Sequence, residues 1–449
     1  MQYGTQLMPK RFGRPERRFP FLFPSLLLFS AIHIHLSSEA MSPEKNSNDI
    51  LSFEDARHCV EEHAARIKAP TSETVSLLDS AGRVLAEPVA ADRDFPPFRR
   101  VTRDGYAVRA ADLEKLPVRL KVIGEIKAGA LVDHLRIGAG QAISIMTGAP
   151  APEGSDAVVM VEYTTVKDGW VEISRIVKVG ENIVPAGSEA KQGSLLLSPG
   201  MKIDHATIAV AASTGEVQLK VFRRPRVAIL ATGDEIVDIE CTPGASQIRN
   251  SNSYSLAAQV QNAGAEAVIL PVAPDEPKRL RELIQQGLQE DLLLLSGGVS
   301  AGKYDLVEQV LEAFQAGFLL RGVHIQPGKP LVFGKVADKY FFGLPGNPIS
   351  TMVTFDLFAK PMIEALAGMT RQKLVFLSAR LKSEIKTKTG IKRFLPAVLS
   401  GEFERAEVEL AGWQGSGDTA TMARSNCYVI IPPDRETIDA GEWVSLLMR

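Results

Sequence analysis

Short apolar runs alternate with amphipathic segments through the central part of the chain. The pattern predicts three strands in succession, at 227–231, 267–272 and 291–295. Three helices are predicted between and after these strands, at 253–263, 276–289 and 304–315. Two further β runs follow at 331–336 and 339–343, before a last helix that begins near Pro348. Strands and helices that alternate at these lengths predict a doubly wound α/β domain with a parallel sheet.

The segments on either side of this domain have different patterns. Ser52 and Asp55 have the spacing of a capping box, and apolar residues follow at helical intervals, so a helix is expected to begin there. The pattern of residues 74–90 predicts a strand followed by a short helix around 83–86. The next hundred residues contain short β runs separated by glycine and proline. Similar β runs without long helices return at the end of the chain.

The predicted fold class is therefore a multidomain α/β protein. The predicted parts are an extension at 1–40, an N-terminal helical and α/β segment at 41–90 plus 191–223, an inserted β domain at 91–190, the α/β domain at 224–368 and a C-terminal β barrel-like domain at 369–449. The split N-terminal segment is expected to serve as a linker and to contribute to dimerisation.

The first forty residues differ from the rest of the chain. Five basic residues precede an apolar stretch at 19–36, a layout that is similar to a signal peptide. The stretch has no clean cleavage site, and its prolines would disrupt a spanning helix. We interpret residues 1–40 as an upstream extension from a misplaced start, with a leader or a disordered tail as the alternative.

The composition and charge of the chain disfavour some classes of partner and site. Of the 449 residues, 45% are hydrophobic and 23% are charged, which is typical of a globular protein. Lys plus Arg total 51 against 53 Asp plus Glu, so the chain lacks the excess of positive charge that a broad nucleic-acid surface needs. Cys59, Cys241 and Cys427 are far apart, which disfavours a disulfide framework or a structural zinc site. We expect a cytoplasmic protein without nucleic-acid or membrane partners.

Four loops with glycine or proline follow the apolar runs of the α/β segment. They cover 231–235, 271–275, 296–302 and 344–348. Ligands of open α/β sheets bind beyond the carboxyl ends of the strands, so these loops predict one anion-binding rim. The loop at 296–302 has three glycines and two serines and precedes a predicted helix, which favours phosphate binding although it is not a Walker A loop.

Three carboxylates accompany the loops: Glu235, Asp275 and Asp305. Mg²⁺ takes a few carboxylates together with phosphate oxygens and water, so convergence of the three would predict a magnesium site. A polar turn that ends a strand remains the alternative for 232–235, and a simple helix N-terminal charge remains the alternative for Asp305. Lys329 lies between two prolines, which favours a fixed cation for anion binding over a solvated surface lysine.

Six motifs occur in an order that resembles the molybdopterin molybdenumtransferase family, which includes MoeA and the E domain of gephyrin. The motifs are Arg103-Asp104-Gly105-Tyr106-Ala107-Val108, Ile145-Met146-Thr147-Gly148-Ala149-Pro150, Thr232-Gly233-Asp234-Glu235, Ser296-Gly297-Gly298-Val299-Ser300, Pro327-Gly328-Lys329-Pro330 and Leu344-Pro345-Gly346-Asn347-Pro348. The resemblance covers roughly residues 50–449. From the residues alone, the two motifs of the β domain are as consistent with structural turns as with a site.

The resemblance implies an activity and an assembly. Molybdate would be inserted into adenylylated molybdopterin with release of AMP and with Mg²⁺ present, as the last step of molybdenum cofactor biosynthesis. The α/β domain would bind molybdopterin, and the site would lie between it and the β domain of the other subunit of a homodimer. A molybdopterin adenylyltransferase is an implied partner. The alternatives are that the chain is itself an adenylyltransferase, or a non-catalytic scaffold similar to gephyrin.

The resemblance also implies roles for individual residues. The catalytic set is Asp104, Thr147, Glu235, Asp275, Asp305 and Lys329, of which Glu235, Asp275 and Asp305 would hold the metal. Substrate would be bound by Thr232, Gly233, Asp234, Ser296, Gly297, Gly298, Ser300, Pro345, Gly346, Asn347 and Pro348. Molybdate would be bound by Lys329, Pro330, Ser350, Arg393 and Ser416.

Two positions depart from the family pattern. Gln326 stands where a second lysine is common, so the predicted oxyanion pocket has one positive charge fewer. Glu189 stands where an aspartate in a more arginine-rich stretch is usual.

Overall fold

A computed structural model of the chain describes residues 50–130, 135–297, 306–370 and 373–449. The predicted extension at 1–40 and the predicted site residues Gly298, Ser300 and Asp305 lie outside these ranges. In the described part of the chain, no helix combines the length and the apolar character that crossing a bilayer requires.

The predicted N-terminal helix is present as α1 (Phe53–Ala64). The Ser52 hydroxyl accepts a hydrogen bond from the backbone N–H of Asp55 at 3.0 Å, which caps the helix as its sequence predicts. Phe53, Ala56 and Val60 form its buried face. These side chains join the same apolar cluster as the central sheet, so α1 packs on the α/β region.

A small α/β layer contains the strands β1 (Ser72–Ser76) and β2 (Val89–Ala90). The short helix predicted around 83–86 is wrong, because Val84 and Leu85 form isolated β-bridges with Lys202 and Val221.

The β region that follows contains eight strands among its described residues. They are β3 (Arg100–Val101), β4 (Gly105–Val108), β5 (Val118–Ile126), β6 (Gln141–Ile145), β7 (Ala157–Met160), β8 (Thr164–Lys167), β9 (Trp170–Ile173) and β10 (Ile183–Val184). Six of them form one sheet in the order β7-β4-β6-β5-β9-β8, and β3 pairs with β10. Apolar clusters cover both faces of the sheet.

The chain then returns to the small α/β layer through β11 (Leu195–Leu197), α2 (His205–Ser213) and β12 (Gln218–Phe222). β11 pairs with β2 and β12 pairs with β1, both antiparallel. The layer is therefore built from chain segments on both sides of the β region.

The described part of the central region contains nine strands and five helices. The strands are β13 (Arg226–Ala231), β14 (Ile236–Val237), β15 (Ile248–Arg249), β16 (Glu266–Ile269), β17 (Leu292–Ser296), β18 (Gly317–Arg321), β19 (Ile325–Gln326), β20 (Val332–Val336) and β21 (Lys339–Leu344). The helices are α3 (Ser251–Asn262), α4 (Pro277–Gly287), α5 (Leu306–Ala313), α6 (Pro348–Thr354) and α7 (Lys360–Leu366), with a π-helical turn at Phe355–Ala359 between the last two.

The central sheet has the order β16-β13-β17-β21-β20-β18 and is covered on both faces. Leu292 and Leu294 of β17 point into one apolar cluster, and Leu293 and Leu295 into the other. A strand buried on both faces is continuously apolar, which is why this run contains four leucines. The predicted doubly wound α/β fold is thereby confirmed.

One detail of the predicted sheet is wrong. β16, β13, β17 and β21 are parallel, but β20 runs antiparallel to both of its neighbours. The turn between β20 and β21 contains only Ala337 and Asp338, and Ala337 has a φ of 51°. Two strands joined by such a short loop pair as a hairpin and must be antiparallel.

The C-terminal region consists of β22 (Phe376–Leu381), β23 (Ile385–Lys386), β24 (Lys392–Ser400), β25 (Glu407–Leu410), α8 (Thr419–Arg424), β26 (Cys427–Ile431), β27 (Thr437–Ile438) and β28 (Trp443–Met448). Pairing runs β24-β25-β22-β28-β26, and β26 returns to β24, so the five strands close a barrel as predicted. β19 of the central region adds to β24 in parallel and connects the two regions.

Candidate functional site

The four predicted loops lie at one edge of the central sheet. Each follows one of the adjacent parallel strands β16, β13, β17 and β21, so all four start at the carboxyl end of the sheet. Backbone hydrogen bonds join the loops: Thr232 N–H donates to the Ser296 carbonyl at 3.1 Å, and Gly233 N–H donates to the Ala273 carbonyl at 3.2 Å. The sequence therefore predicted both the loops and their convergence.

A cavity of about 570 Å³ opens between these loops. Of the predicted substrate residues, Thr232, Ser296, Gly297, Pro345, Gly346, Asn347 and Pro348 line it, together with Glu235 and Pro330. The remaining lining comes from Ala231, Ile236, Gly417 and the segment 248–252. Polar side chains such as those of Thr232, Glu235, Asn252 and Ser296 line part of the cavity, which suits a ligand with polar groups.

Gly297 is required by the shape of the cavity wall. Its φ is +93°, and a Cβ there would lie 2.6 Å from the Thr232 carbonyl oxygen. A Cβ on Gly346 would in turn meet the Gly297 Cα at 3.5 Å. Only glycine at position 297 allows the loops after β13, β17 and β21 to approach this closely.

The segment 248–252 is a wall of the cavity that the sequence analysis missed. β15 pairs in parallel with β14, which directly follows the loop at 231–235, and this pairing brings the start of α3 to the site. Asn250 caps α3 by accepting from the Ser253 N–H at 3.1 Å. The first N–H groups of a helix have no partners within the helix and give its N-terminus positive character, so this wall favours an anion.

A signal for this wall was present in the sequence. Asn250 and Ser253 have the spacing of a helix N-cap, and the run from Arg249 to Ser253 is entirely polar. The predicted helix begins at 253, two residues after the observed start, so the prediction leaves most of this polar run outside the helix.

Asn252 ties three elements of the cavity together. Its Nδ2 donates to the Ser296 Oγ at 2.9 Å and to the Gly346 carbonyl at 2.7 Å. A carbonyl can only accept, so the contact with Gly346 fixes the orientation of the amide. The Asn252 Oδ1 and the Thr232 Oγ1 are buried without a hydrogen-bond partner in the described protein. Buried polar atoms left unsatisfied in a folded protein are often found at ligand sites.

Three carboxylates approach each other at the acidic side of the site. The Asp234 Oδ1 accepts from the Asp275 N–H at 3.0 Å, and Glu235 lines the cavity. Burial raises the pKa of the Asp275 carboxyl, and the negative charges of Asp234 and Glu235 raise it further. Mutual repulsion of this kind favours a bound cation.

The predicted metal set is only partly described. Glu235 and Asp275 are close enough to interact electrostatically, whereas Asp305 lies outside the described residues. Within residues 50–130, 135–297, 306–370 and 373–449, no group of three or more metal-ligating side chains is arranged to hold an ion. Two carboxylates with phosphate oxygens and water still match the coordination that Mg²⁺ prefers, so the residues present fit that ion.

The barrel and the loop at 326–330 form another side of the site. Pro330 lines the cavity, and Lys329 beside it is exposed. The Ser416 carbonyl accepts from the Ile349 N–H at 2.9 Å, and the neighbouring Gly417 reaches the cavity wall. Ser350 is buried in the first turn of α6, and its carbonyl accepts from the Thr354 hydroxyl at 2.8 Å.

Arg393 is buried, with 8% of its surface exposed, and it contacts the start of the loop at 326–330 without lining the cavity. Its Nε donates to the Gln326 Oε1 at 2.8 Å, and one terminal nitrogen donates to the carbonyls of Lys388 and Ile391. Burial lowers the pKa of the Arg393 guanidinium. The other departure from the family pattern, Glu189, forms an exposed ion pair with Arg100 at 2.8 Å.

Asp104 and Thr147 lie in the β region and do not line this cavity. The Asp104 Oδ1 accepts from the Thr147 N–H at 2.7 Å and from its hydroxyl at 2.8 Å. These two hydrogen bonds lower the pKa of the Asp104 carboxyl. The pair is therefore a preformed, exposed and ionised group in a different region of the chain.

Comparison with known families divides the chain into three matched segments. Residues 51–215 match the MoeA N-terminal region (domain I and II). Residues 228–365 match a family described as "Probable molybdopterin binding domain", and residues 378–448 match the MoeA C-terminal region (domain IV). The cavity lies at the carboxyl edge of the second segment, with Gly417 contributed by the third.

Individual relatives match most of the chain. The chain is 37% identical over 391 residues to the molybdopterin molybdenumtransferase of Nostoc sp., covering 84% of this chain and 88% of the relative. It is 33% identical over 390 residues to that of Bacillus subtilis, covering 85% and 90%. A crystal structure of the molybdopterin biosynthesis MoeA protein from Pyrococcus horikoshii has a TM-score of 0.65 at 32% identity, covering 89% of this chain and 99% of that protein. This chain therefore belongs to the molybdopterin molybdenumtransferase (MoeA) family.

Proposed function

We propose that the cavity binds adenylylated molybdopterin and that the protein inserts molybdenum from molybdate into it, with release of AMP, as the last step of cofactor biosynthesis. The observation that carries the proposal is the cavity itself, a space of about 570 Å³ whose lining includes both the N-terminal residues of α3 and Glu235. Such a site can bind a phosphate through N–H groups on one side and through a cation on the other. Membership of the family supports the same activity.

The anionic part of the substrate would be bound by backbone groups. The start of α3 offers backbone N–H donors, and Gly297 places no side chain in the neighbouring wall. The Ser296 hydroxyl and the Thr232 hydroxyl are the side-chain groups in the same wall. Gly298 and Ser300, which follow in the chain, keep their predicted substrate role as part of this proposal.

Glu235, Asp275 and Asp305 would hold Mg²⁺. When bound, the ion would offset the negative charge on the adenylate phosphates during cleavage of the phosphoanhydride. The support from this chain is the raised pKa of Asp275, since its causes include the charges of Asp234 and Glu235. Lys329, exposed next to the cavity-lining Pro330, would neutralise charge on the leaving AMP.

Molybdate would bind on the side formed by Lys329, Pro330, Ser350, Arg393 and Ser416. An oxyanion pocket needs cationic donors together with hydroxyl and N–H groups. The buried guanidinium of Arg393 is such a donor. The attacking group would be an oxygen of molybdate or a water that molybdate displaces.

We further propose a homodimer in which Asp104 and Thr147 of one subunit complete the cavity of the other. The support is that the pair is exposed and ionised yet does not line the cavity of its own subunit. A molybdopterin adenylyltransferase would deliver the substrate, and the cytoplasm would be the site of the reaction.

The test is AMP release from adenylylated molybdopterin by the full-length protein, with and without molybdate. We expect release that needs both molybdate and Mg²⁺, and a loss of at least about a hundredfold in Glu235→Gln, as when a group that stabilises charge in the transition state is removed. Glu240→Gln is the matched control, because it makes the same charge change at an exposed position shortly after Glu235 that does not line the cavity.

The outcomes separate the alternatives. Binding of the substrate without release of AMP would favour a scaffold. Consumption of ATP with formation of adenylylated molybdopterin would favour an adenylyltransferase. Either result would overturn the proposed transferase activity.

A further inference from the structure

Arg393 is a buried cation that is held only by neutral oxygens. Its three hydrogen-bond partners are the side-chain amide of Gln326 and the backbone carbonyls of Lys388 and Ile391. Among the described residues, no carboxylate lies within ion-pair distance of the guanidinium. Burial lowers the pKa of the Arg393 guanidinium, and no charge on the described residues contributes to that shift.

A buried charge without a counter-ion is costly. Side chains that lose their hydration usually gain an opposite charge or a full set of hydrogen bonds in return. Three neutral acceptors compensate Arg393 in part and leave its positive charge available. A small anion at this place would supply the missing compensation.

The register of the strands explains how Gln326 reaches Arg393. β19 and β24 pair in parallel, and Gln326 stands opposite Arg393 in that pairing. Gln326 is also only four positions before Pro330, which lines the cavity, and three before Lys329. The contact therefore fixes the guanidinium beside the loop that forms one side of the site.

We propose that Gln326 is a positioning residue that orients the Arg393 guanidinium without neutralising it, so that Arg393 can bind the molybdate oxyanion. This inference rests on the proposed function and deepens it. A lysine at position 326 could not accept from the Arg393 Nε, whereas a glutamate would accept but would also take up the positive charge. Only an uncharged acceptor orients the group and leaves its charge free.

Two variants separate this role from a purely structural one. Gln326→Glu keeps the acceptor and strengthens the hydrogen bond, whereas Gln326→Met keeps the length of the side chain and removes the acceptor. If Gln326 only joined β19 to β24, the glutamate variant would behave as wild type and the methionine variant would be impaired. If the side chain at position 326 must be uncharged, the glutamate variant loses oxyanion binding although its fold is at least as stable as wild type.

The experiment measures equilibrium binding of molybdate and the molybdate dependence of AMP release for the full-length variants, together with their melting temperatures. For Gln326→Glu we expect at least about a tenfold rise in the molybdate concentration for half-saturation, since a charge-assisted hydrogen bond to the anion is lost. The rate at saturating molybdate should change much less, and the melting temperature should not fall. Gln285→Glu, an exposed change on α4, is the matched control for added charge.

Each result decides one question. Wild-type half-saturation in Gln326→Glu, with molybdate-dependent AMP release intact in the wild type, would overturn the role of Gln326 and leave the proposed function standing. Absence of AMP release from the wild type, with molybdate binding that Gln326→Glu abolishes, would overturn the proposed function and leave the oxyanion role of Arg393 and Gln326 standing. Gln326→Met need not fold for this decision, because the glutamate variant alone makes it.

Discussion

Gly297 is the residue that most directly limits the shape of the cavity. Its positive φ and the 2.6 Å distance from a Cβ to the Thr232 carbonyl oxygen leave no room for a side chain. Both constraints come from the approach of the loop after β17 to the loop after β13. The residue is therefore fixed by backbone geometry, which also sets the shape of the proposed binding site.

We expect Gly297→Ala to lower the free energy of unfolding by about 1–3 kcal/mol, because the substitution combines backbone strain with a clash. Binding of adenylylated molybdopterin should weaken as the loops move apart. Denaturant unfolding and substrate titration are the measurements. Gly412→Ala is the control, since an added Cβ there meets no atom within 4 Å. Equal behaviour of the two variants would contradict this account.

Asp275 combines a proposed role in metal binding with a cost to stability. Its carboxyl has a raised pKa because of burial and because of Asp234 and Glu235. The folded state therefore disfavours the ionised form, and the cost is present above the folded pKa. The cost disappears below the pKa that the Asp275 carboxyl has in the unfolded chain, which is about 4. Below that pH the carboxyl is protonated in both the folded and the unfolded state.

Asp275→Asn should therefore raise the melting temperature at pH 7 in the absence of metal, because it removes the disfavoured charge. The expected gain is only about 1–2 °C, because Asp275 is exposed to solvent. The gain should disappear below about pH 4, where the wild-type carboxyl is protonated. Mg²⁺ should stabilise the wild type more than the variant, because binding to the folded state raises stability. A variant that is less stable than wild type at pH 7 without Mg²⁺ would contradict the repulsion inferred here.

At the scale of elements, the π-helical turn at Phe355–Ala359 connects the central region to the barrel. The Asp356 carboxyl, buried in this turn, accepts from the Tyr428 hydroxyl of β26 at 2.9 Å and from the Gln259 side chain of α3 at 2.8 Å. Burial raises the pKa of Asp356. Three elements from two regions thus share one buried carboxyl.

Tyr428→Phe should lower the free energy of unfolding by about 1–3 kcal/mol at neutral pH, because it leaves a buried carboxylate with one donor fewer. The loss should shrink on acidification, since protonation removes the buried charge whose folded pKa is raised. Denaturant unfolding between pH 5 and 8 measures both effects. Tyr163→Phe, at an exposed position, is the control. A loss that does not depend on pH would show that Asp356 is not involved.

The elements that the sequence predicted well are those with a strong local pattern. The four leucines of β17 and the capping spacing of α1 identify their elements without tertiary information. The strand β18 and the bridges at Val84 and Leu85 were not predicted, since their pairing partners lie elsewhere in the chain. The direction of β20 likewise depends on a two-residue turn whose geometry the apolar pattern does not encode.

The candidate site follows the same division. Loop positions such as Thr232, Gly297 and Gly346 were predicted because a parallel sheet places its carboxyl ends at one edge. Asn252 was not predicted, because its contacts reach Ser296 and Gly346, which are 44 and 94 residues away in the chain. The contact between Gln326 and Arg393 likewise depends on the pairing of β19 with β24.

At the scale of the whole molecule, the proposed homodimer predicts that two defective subunits can complement each other. Asp104→Ala would damage the contribution to the partner's site, and Glu235→Gln would damage the subunit's own site. In a mixed dimer, one of the two sites would then be intact. Random reassortment of equal amounts should restore about a quarter of wild-type activity, since half of the dimers are mixed.

The measurement is AMP release after the two variants are unfolded, mixed and refolded, compared with each variant treated alone. Restoration by Glu235→Gln mixed with Asp275→Asn is not expected, because both changes affect the same side of the interface. Activity that remains at the level of the single variants in the first mixture would contradict a shared site.

The central claim is that cleavage of the adenylate is coupled to insertion of molybdenum in this cavity. The most direct test quantifies AMP and molybdopterin-bound molybdenum in the same reaction of the full-length protein with adenylylated molybdopterin, Mg²⁺ and molybdate. The account predicts that the two products form in equal amounts and that both are lost in Glu235→Gln. Release of AMP without incorporation of molybdenum, or incorporation that Glu235→Gln leaves unchanged, would contradict it.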